Sequence, residues 1–256
     1  MRLHTILLLL GLALPNTTAS ALDAVKTSAI TKGAATFATL ASDSANSGRP
    51  PRQSDAAVKG ILDLVFDTSE LKNGPAQPRS ALDNLNAWQL AVLKIGLIYT
   101  LSGTGVTDIA AVPNTPAVVE KINRNTVEFA PEMGRYCDAV LWVQGAIMDT
   151  VAAFLLTASP TELDRPNIKS GIAKIRGGNS QTIDGVITTL PIDGLTDAWR
   201  RDRATVLTAI APKAAKFLLP DQLRALRERA TDVASQMIDQ DVKTGLLSFA
   251  GSIERR

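Results

Sequence analysis

The stretch Arg135–Ala158, RYCDAVLWVQGAIMDTVAAFLLTA, is the longest apolar helical pattern in the chain. From Ala139 onward its polar residues are Gln144, Asp149, Thr150 and Thr157. A helix that is apolar on nearly every side normally lies buried at the centre of a protein. A membrane span is the alternative interpretation, but an aspartate near mid-bilayer costs ~3 kcal/mol, and no basic cluster marks the far end. We therefore expect a central core helix and no stable transmembrane span.

A second apolar segment, Trp88–Leu101, carries a single charge at Lys94. Elsewhere apolar residues recur at helical spacings of three and four, most clearly in Asp221–Asp239. No series of alternating strand-like segments occurs. The pattern predicts an all-α protein, an irregular multi-helix bundle of about seven to nine helices around two strongly apolar central helices.

Helix-breaking residues suggest where these helices end. Pro166 and the pair Gly177-Gly178 are expected to divide the region that follows the apolar helix into short pieces, and Pro212 to end a helix that starts near Thr196. The β-branched segment Ile183–Leu190 fits either a helix or a strand.

Residues 1–21 resemble a cleaved secretory signal. Ile6–Leu14 is apolar but spans about nine residues, far short of the ~20 needed to cross a bilayer. Ala19-Ser20-Ala21 matches a small-x-small cleavage site. We expect three regions: a signal peptide at 1–21, a weakly helical segment with a flexible linker at 22–54, and a single helical domain at 55–254. The mature protein is expected to be periplasmic or secreted, with a bacterial origin as the favoured interpretation.

Loss of that signal would remove His4, the only histidine. Ser-His-Asp and Cys-His mechanisms, the usual zinc sites and c-type haem attachment are then excluded, and we predict no cofactor or metal. Cys137 is the only cysteine, so no internal disulfide can form, and its apolar neighbours predict a buried thiol. The glutamates available for carboxylate-only chemistry near the long apolar helix are Glu120, Glu128 and Glu132.

Four residues of the apolar helix lie on one stripe, because Asp138, Trp142, Gly145 and Asp149 are separated by 4, 3 and 4 positions. The two carboxylates are ~16 Å apart along the axis, whereas the carboxyls of an inverting glycosidase are separated by only ~6.5–9.5 Å. Each therefore needs a partner from elsewhere, and the nearest candidates are Arg135 for Asp138 and Lys94 for Asp149. The candidate buried polar or ligand-binding stripe comprises Asp138, Trp142, Gly145, Asp149, Lys94 and Arg135.

The region 199–229 is locally basic, with a candidate basic surface made by Arg200, Arg201, Arg203, Arg224 and Arg227. The whole chain carries 27 basic against 25 acidic residues. Such a balance gives no reason to expect nucleic acid as a partner.

These patterns favour an exported soluble protein that acts by binding or assembly in the cell envelope, with a protein partner or a small apolar ligand, and homo-oligomers are compatible with it. Two alternatives stay open. One is a carboxylate-dependent cell-wall glycoside hydrolase, which needs a buried glutamate lining an open groove. The other is a peripheral envelope protein that binds anionic polymer or lipid through the 199–229 region. Binding is favoured over catalysis.

Overall fold

A computed structural model describes residues 24–44, 49–72, 77–106 and 115–254. All regular secondary structure in these ranges is helical, which confirms the predicted all-α bundle. The expected signal peptide at 1–21 lies outside the described residues.

The helices follow one another along the chain with short connections. A single 3-10 turn, Arg79–Ala81, precedes the fourth helix, and α3 and α7 are single turns of four residues. The helices are α1 Ala24–Ser44, α2 Ala56–Phe66, α3 Ser69–Lys72, α4 Leu82–Thr100, α5 Pro116–Glu128, α6 Ala130–Thr157, α7 Pro160–Leu163, α8 Pro166–Thr189, α9 Asp197–Phe217, α10 Pro220–Gln236 and α11 Gln240–Glu254.

The two apolar segments form α4 and α6, and α6 lies at the centre of the bundle. Helices α4, α8 and α9 all pack against it. The apolar composition of α6 would also allow it to cross a membrane, but 67% of its most apolar window is buried inside the bundle. Burial against other helices thus accounts for its near-continuous apolar surface.

Helix α4 runs antiparallel to α6, and the two approach closely at one glycine. Gly96 faces the ring of Tyr136, and Thr100, a turn further on, lies beside Met133, a turn earlier on α6. A side chain at position 96 would hold the helices apart. The glycine therefore fixes how closely the two central helices pack.

Residues 24–44, expected to be weakly helical, form the 21-residue helix α1. Ile30 and Phe37 are fully buried in the same core as α4 and α6, and the Phe37 ring lies 5.5 Å from that of Tyr99. The following segment is also in contact with the bundle, because the Tyr99 hydroxyl donates a hydrogen bond of 2.8 Å to the Pro51 carbonyl.

Two of the expected helix interruptions are wrong. Helix α8 continues through Gly177-Gly178 and through 183–189, which also resolves the choice between helix and strand there. Helix α9 continues through Pro212 to Phe217. A glycine in a helix costs only about 1 kcal/mol relative to alanine, and burial of α8 isoleucines such as Ile175 and Ile183 offsets this. Pro212 lies on the exposed face of α9, where the carbonyl that loses its bond can reach water.

Candidate functional site

The predicted stripe on α6 packs against α9, and its first carboxylate forms a two-point ion pair. Arg203 donates from Nε to Asp138 Oδ1 at 2.8 Å and from Nη2 to Oδ2 at 2.6 Å. The Arg203 guanidinium also lies 5.0 Å from the ring centre of Trp199. Burial raises the pKa of Asp138, and this effect outweighs the lowering by Arg203.

The second carboxylate pairs with another α9 residue. Asp149 lies 2.9 Å from Lys213 Nζ, and both side chains are largely buried. Gly145 leaves room for the lysine stem, since a Cβ there would lie 3.2 Å from Lys213 Cδ. The Lys213 ammonium is 6.0 Å from the ring centre of Trp142. The four stripe residues thus share one helix interface, where two separate ion pairs join α6 to α9.

The partners expected for these carboxylates are wrong. Arg135 binds Asp63 of α2 at 2.7 Å, and Lys94 is exposed. One sequence signal was available: the acids on α6 are 11 residues apart, and the two basic partners on α9 are 10 apart. The near-equal spacings bring both acids opposite both bases in the same chain order only if α6 and α9 run parallel, as they do here.

The candidate basic surface at 199–229 is neutralised by local partners. Arg203 is buried, Arg201 binds Asp239, and Arg200 donates to the carbonyls of Leu190 and Ile192. The two candidate arginines on α10 also form ion pairs: Arg224 binds Asp221 and Arg227 binds Glu254. Arg201, Arg203 and Arg227 therefore link different parts of the chain, whereas Arg224 pairs within α10.

Glu132 is the buried member of the three candidate glutamates, with its side chain 2% exposed. Its Oε1 accepts a hydrogen bond of 3.0 Å from the Gln53 backbone, and Arg52 Nη1 lies 3.9 Å from Oε2. Glu128 is 3.6 Å from the same arginine, and Glu120 pairs with Arg124. The chain before α2 covers Glu132, so this glutamate does not line an open groove.

Cys137 is buried on α6, as predicted. Burial raises the pKa of its thiol to about 12, with only partial compensation by Arg203. The thiol stays protonated near neutral pH, and this makes it a poor nucleophile.

A pocket that sequence analysis missed lies between α4, α6 and α8. Six apolar side chains line it: Leu82, Val151, Phe154, Ile168, Ile172 and Ile175. Thr150 contributes its methyl group, because its hydroxyl donates to the Ala146 carbonyl at 2.8 Å. Helical spacing of the isoleucines indicated only a buried face of α8, and the gap arises where three helices diverge.

Among the residues that the structure describes, Arg79 is the one charged residue that lines the pocket. Its guanidinium lies 4.1 Å from the ring centre of Phe154, and Nη1 donates to Glu162 Oε1 at 2.6 Å. Because the Arg79 side chain is 36% exposed, it links an apolar interior to solvent. This arrangement suits a ligand with an apolar part and a polar end.

No family model matches the chain, and neither a curated protein nor a solved structure shows detectable similarity to it. Only the geometry and chemistry of the described residues therefore bear on the function. Within the described ranges no three His, Cys, Asp or Glu side chains lie together as a metal ion would require. The two features that stand out are the α6–α9 ion pairs, which hold the bundle together, and the pocket, which has a free opening.

Proposed function

We propose that this chain is an exported binding protein whose ligand site is the apolar pocket between α4, α6 and α8. The observation that carries the proposal is the composition of the pocket wall, in which six aliphatic or aromatic side chains surround the space and one arginine stands at its edge. Such a wall offers burial of apolar surface to a ligand, and it presents no group placed to attack one.

The size of the space sets the kind of ligand. The cavity itself has a volume of about 20 Å³, far below the ~300–1,000 Å³ of small-molecule sites and close to what one water molecule needs. Each methylene group that leaves water for such a site contributes about 0.8 kcal/mol. A single small apolar group therefore fits the pocket as it stands. A longer alkyl chain must push the lining side chains apart, so its affinity is expected to be weak.

Isoleucine methyl NMR tests the binding directly, because Ile168, Ile172 and Ile175 all line the pocket. Titration of the purified protein with 1-octanol is expected to shift these three methyl resonances in a saturable way. Ile30 on α1 and Ile253 on α11 provide internal controls, since both are buried in other parts of the core. Equal shifts at all positions, or none at the three pocket methyls, would contradict the proposal.

A pocket-filling variant supplies the second test. Ile172→Phe adds bulk at the wall and is expected to abolish the octanol-dependent shifts at Ile168 and Ile175. Thermal unfolding of the variant verifies that it is folded. Retained binding in a folded variant would place the ligand elsewhere.

Export is the second part of the proposal, and the features of residues 1–21 support it. The intact mass of the protein purified from the extracytoplasmic fraction of its own host is expected to correspond to a chain that begins near Leu22. A mass that retains residues 1–21 would refute export and would restore His4 to the mature protein.

A further inference from the structure

We infer that the pocket prefers an apolar ligand that ends in a carboxylate, with Arg79 as the residue that binds the anionic end. This inference rests on the proposed function, because it assumes that the pocket is a binding site and adds the chemical class of its ligand. It follows from the position of a single guanidinium and from the state of its hydrogen bonds.

Arg79 lies between the apolar interior and solvent. The lining is apolar throughout, so the arginine contributes its methylene groups to the wall while its guanidinium lies over the outer residue Phe154, 4.1 Å from the ring centre. A ligand whose alkyl part enters the pocket, by displacing the lining side chains, would therefore present its other end to this guanidinium. Stacking on the ring restricts the rotation of the guanidinium, which lowers the entropic cost of binding an anion there.

The guanidinium has donors left for a ligand. An arginine carries five N–H groups, and among the described residues Arg79 has one hydrogen-bond partner, Glu162, which it reaches through Nη1. A carboxylate can accept two parallel hydrogen bonds from the remaining edge of the guanidinium. The Glu162 carboxylate, on the one-turn helix α7, shows how a ligand carboxylate would bind Arg79. It would also compete with such a ligand for the guanidinium.

The surrounding backbone favours the same charge. Leu82 is the first residue of α4 and Ile168 lies in the first turn of α8, and both residues line the pocket. The amino-terminal ends of two helices therefore lie near the pocket. The N–H groups of these two residues already donate to the Arg79 and Arg165 carbonyls, so the helices contribute only the weak positive field of their dipoles. An alcohol of the same chain length gains nothing comparable from this field.

Octanoate and 1-octanol form a matched pair of probes, because each has eight carbon atoms in an unbranched chain and they differ in charge at pH 7. In the isoleucine methyl titration, octanoate is expected to bind about 10-fold more tightly than 1-octanol, a difference of about 1.4 kcal/mol, because its carboxylate can form charge-assisted hydrogen bonds with Arg79. Arg79→Met keeps the apolar stem and is expected to remove this difference. Glu162→Gln removes the competing carboxylate and is expected to tighten octanoate binding while octanol binding is unchanged.

Arg124→Met is the matched control, because Arg124 is an exposed arginine paired with a glutamate on a different part of the surface. It is expected to leave both affinities unchanged. Equal affinities for the two probes in the wild-type protein, or octanoate binding that is insensitive to Arg79→Met, would overturn the carboxylate preference and leave the proposed function standing. Absence of binding by both probes would refute the proposed function itself.

Discussion

Substitution of Gly96 by alanine tests the central contact of the bundle. A Cβ at this position would lie 2.3 Å from both Cδ2 and Cε2 of the Tyr136 ring and 2.7 Å from its Cζ. Tyr136 is itself buried on α6 and cannot swing into solvent. The added methyl group must therefore push α4 and α6 apart or force the ring from its rotamer.

Two opposing effects set the size of the change. Alanine is favoured over glycine in a helix interior by about 1 kcal/mol. Overpacking in a well-filled core costs ~1–3 kcal/mol, and an approach more than about 1 Å inside normal carbon contact places this case at the upper end. We expect Gly96→Ala to lower the free energy of unfolding by about 2 kcal/mol.

Urea unfolding followed by circular dichroism at 222 nm measures this change. The matched control is Gly178→Ala on α8, because no atom lies within 4 Å of the Cβ that would be added there. The control gains the higher helix propensity of alanine without a steric clash. It is therefore expected to raise the free energy of unfolding by up to ~1 kcal/mol. The two variants should therefore differ by about 3 kcal/mol.

The double variant Gly96→Ala with Tyr136→Leu separates the clash from other causes, since the smaller side chain frees the space beside position 96. Relative to Tyr136→Leu alone, the alanine should then be neutral or stabilising. If Gly96→Ala in the wild-type background proves as stable as Gly178→Ala, the close approach of α4 and α6 at this level is refuted.

Two further predictions concern ion pairs. Asp138→Asn is expected to destabilise by about 3 kcal/mol, the lower end of the cost of breaking a buried ion pair, because the Arg203 side chain is only 6% exposed but keeps an exposed second partner, Asp202, at 3.7 Å. Arg203→Met should cost about 1 kcal/mol less, because the remaining Asp138 carboxylate is 31% exposed and can also protonate. Urea midpoints at pH 7 give the order, and the reverse order contradicts it. The hydrogen bonds from Arg201 hold the pKa of Asp239 at about 2, below its ordinary 3.8, so its contribution to stability is complete above pH ~3.8 and is lost as the pH falls toward 2. Asp239→Asn should flatten the pH dependence of unfolding in that interval, and a carboxyl ¹³C resonance that titrates near pH 4 would show the lowered pKa to be wrong.

The sequence predicted the elements whose burial is a local property of the chain. The apolar runs of α4 and α6 can only be accommodated in a core, and Cys137 is buried for the same reason. The partners of Asp138 and Asp149 could not be assigned, because ion pairing between helices depends on their relative direction and offset, which periodicity within one helix does not contain.

The predicted interruptions of α8 and α9 are wrong for an energetic reason. Local helix propensity predicts that Gly177-Gly178 and Pro212 interrupt their helices. Packing of α8 and α9 against the core contributes more than these residues cost in propensity. The pocket could not be predicted because it is a gap between three helices. Its existence depends on how those helices diverge, and the sequence of one helix does not show this. Arg79, which precedes α4 by a few residues, carries no local pattern that marks it as a pocket residue.

The parallel arrangement of α6 and α9 has a consequence for the order of events during synthesis. Parallel neighbours need a return segment between them, and here α7 and α8 provide it, so that Asp138 and Arg203 are separated by 65 positions. A chain emerging amino-terminus first therefore presents α6, its longest apolar helix, with both carboxylates lacking counterions until α9 has followed. We therefore expect closure of this part of the core to wait for α9, and a chain that stops before α9 to leave the α9-facing side of α6 uncovered.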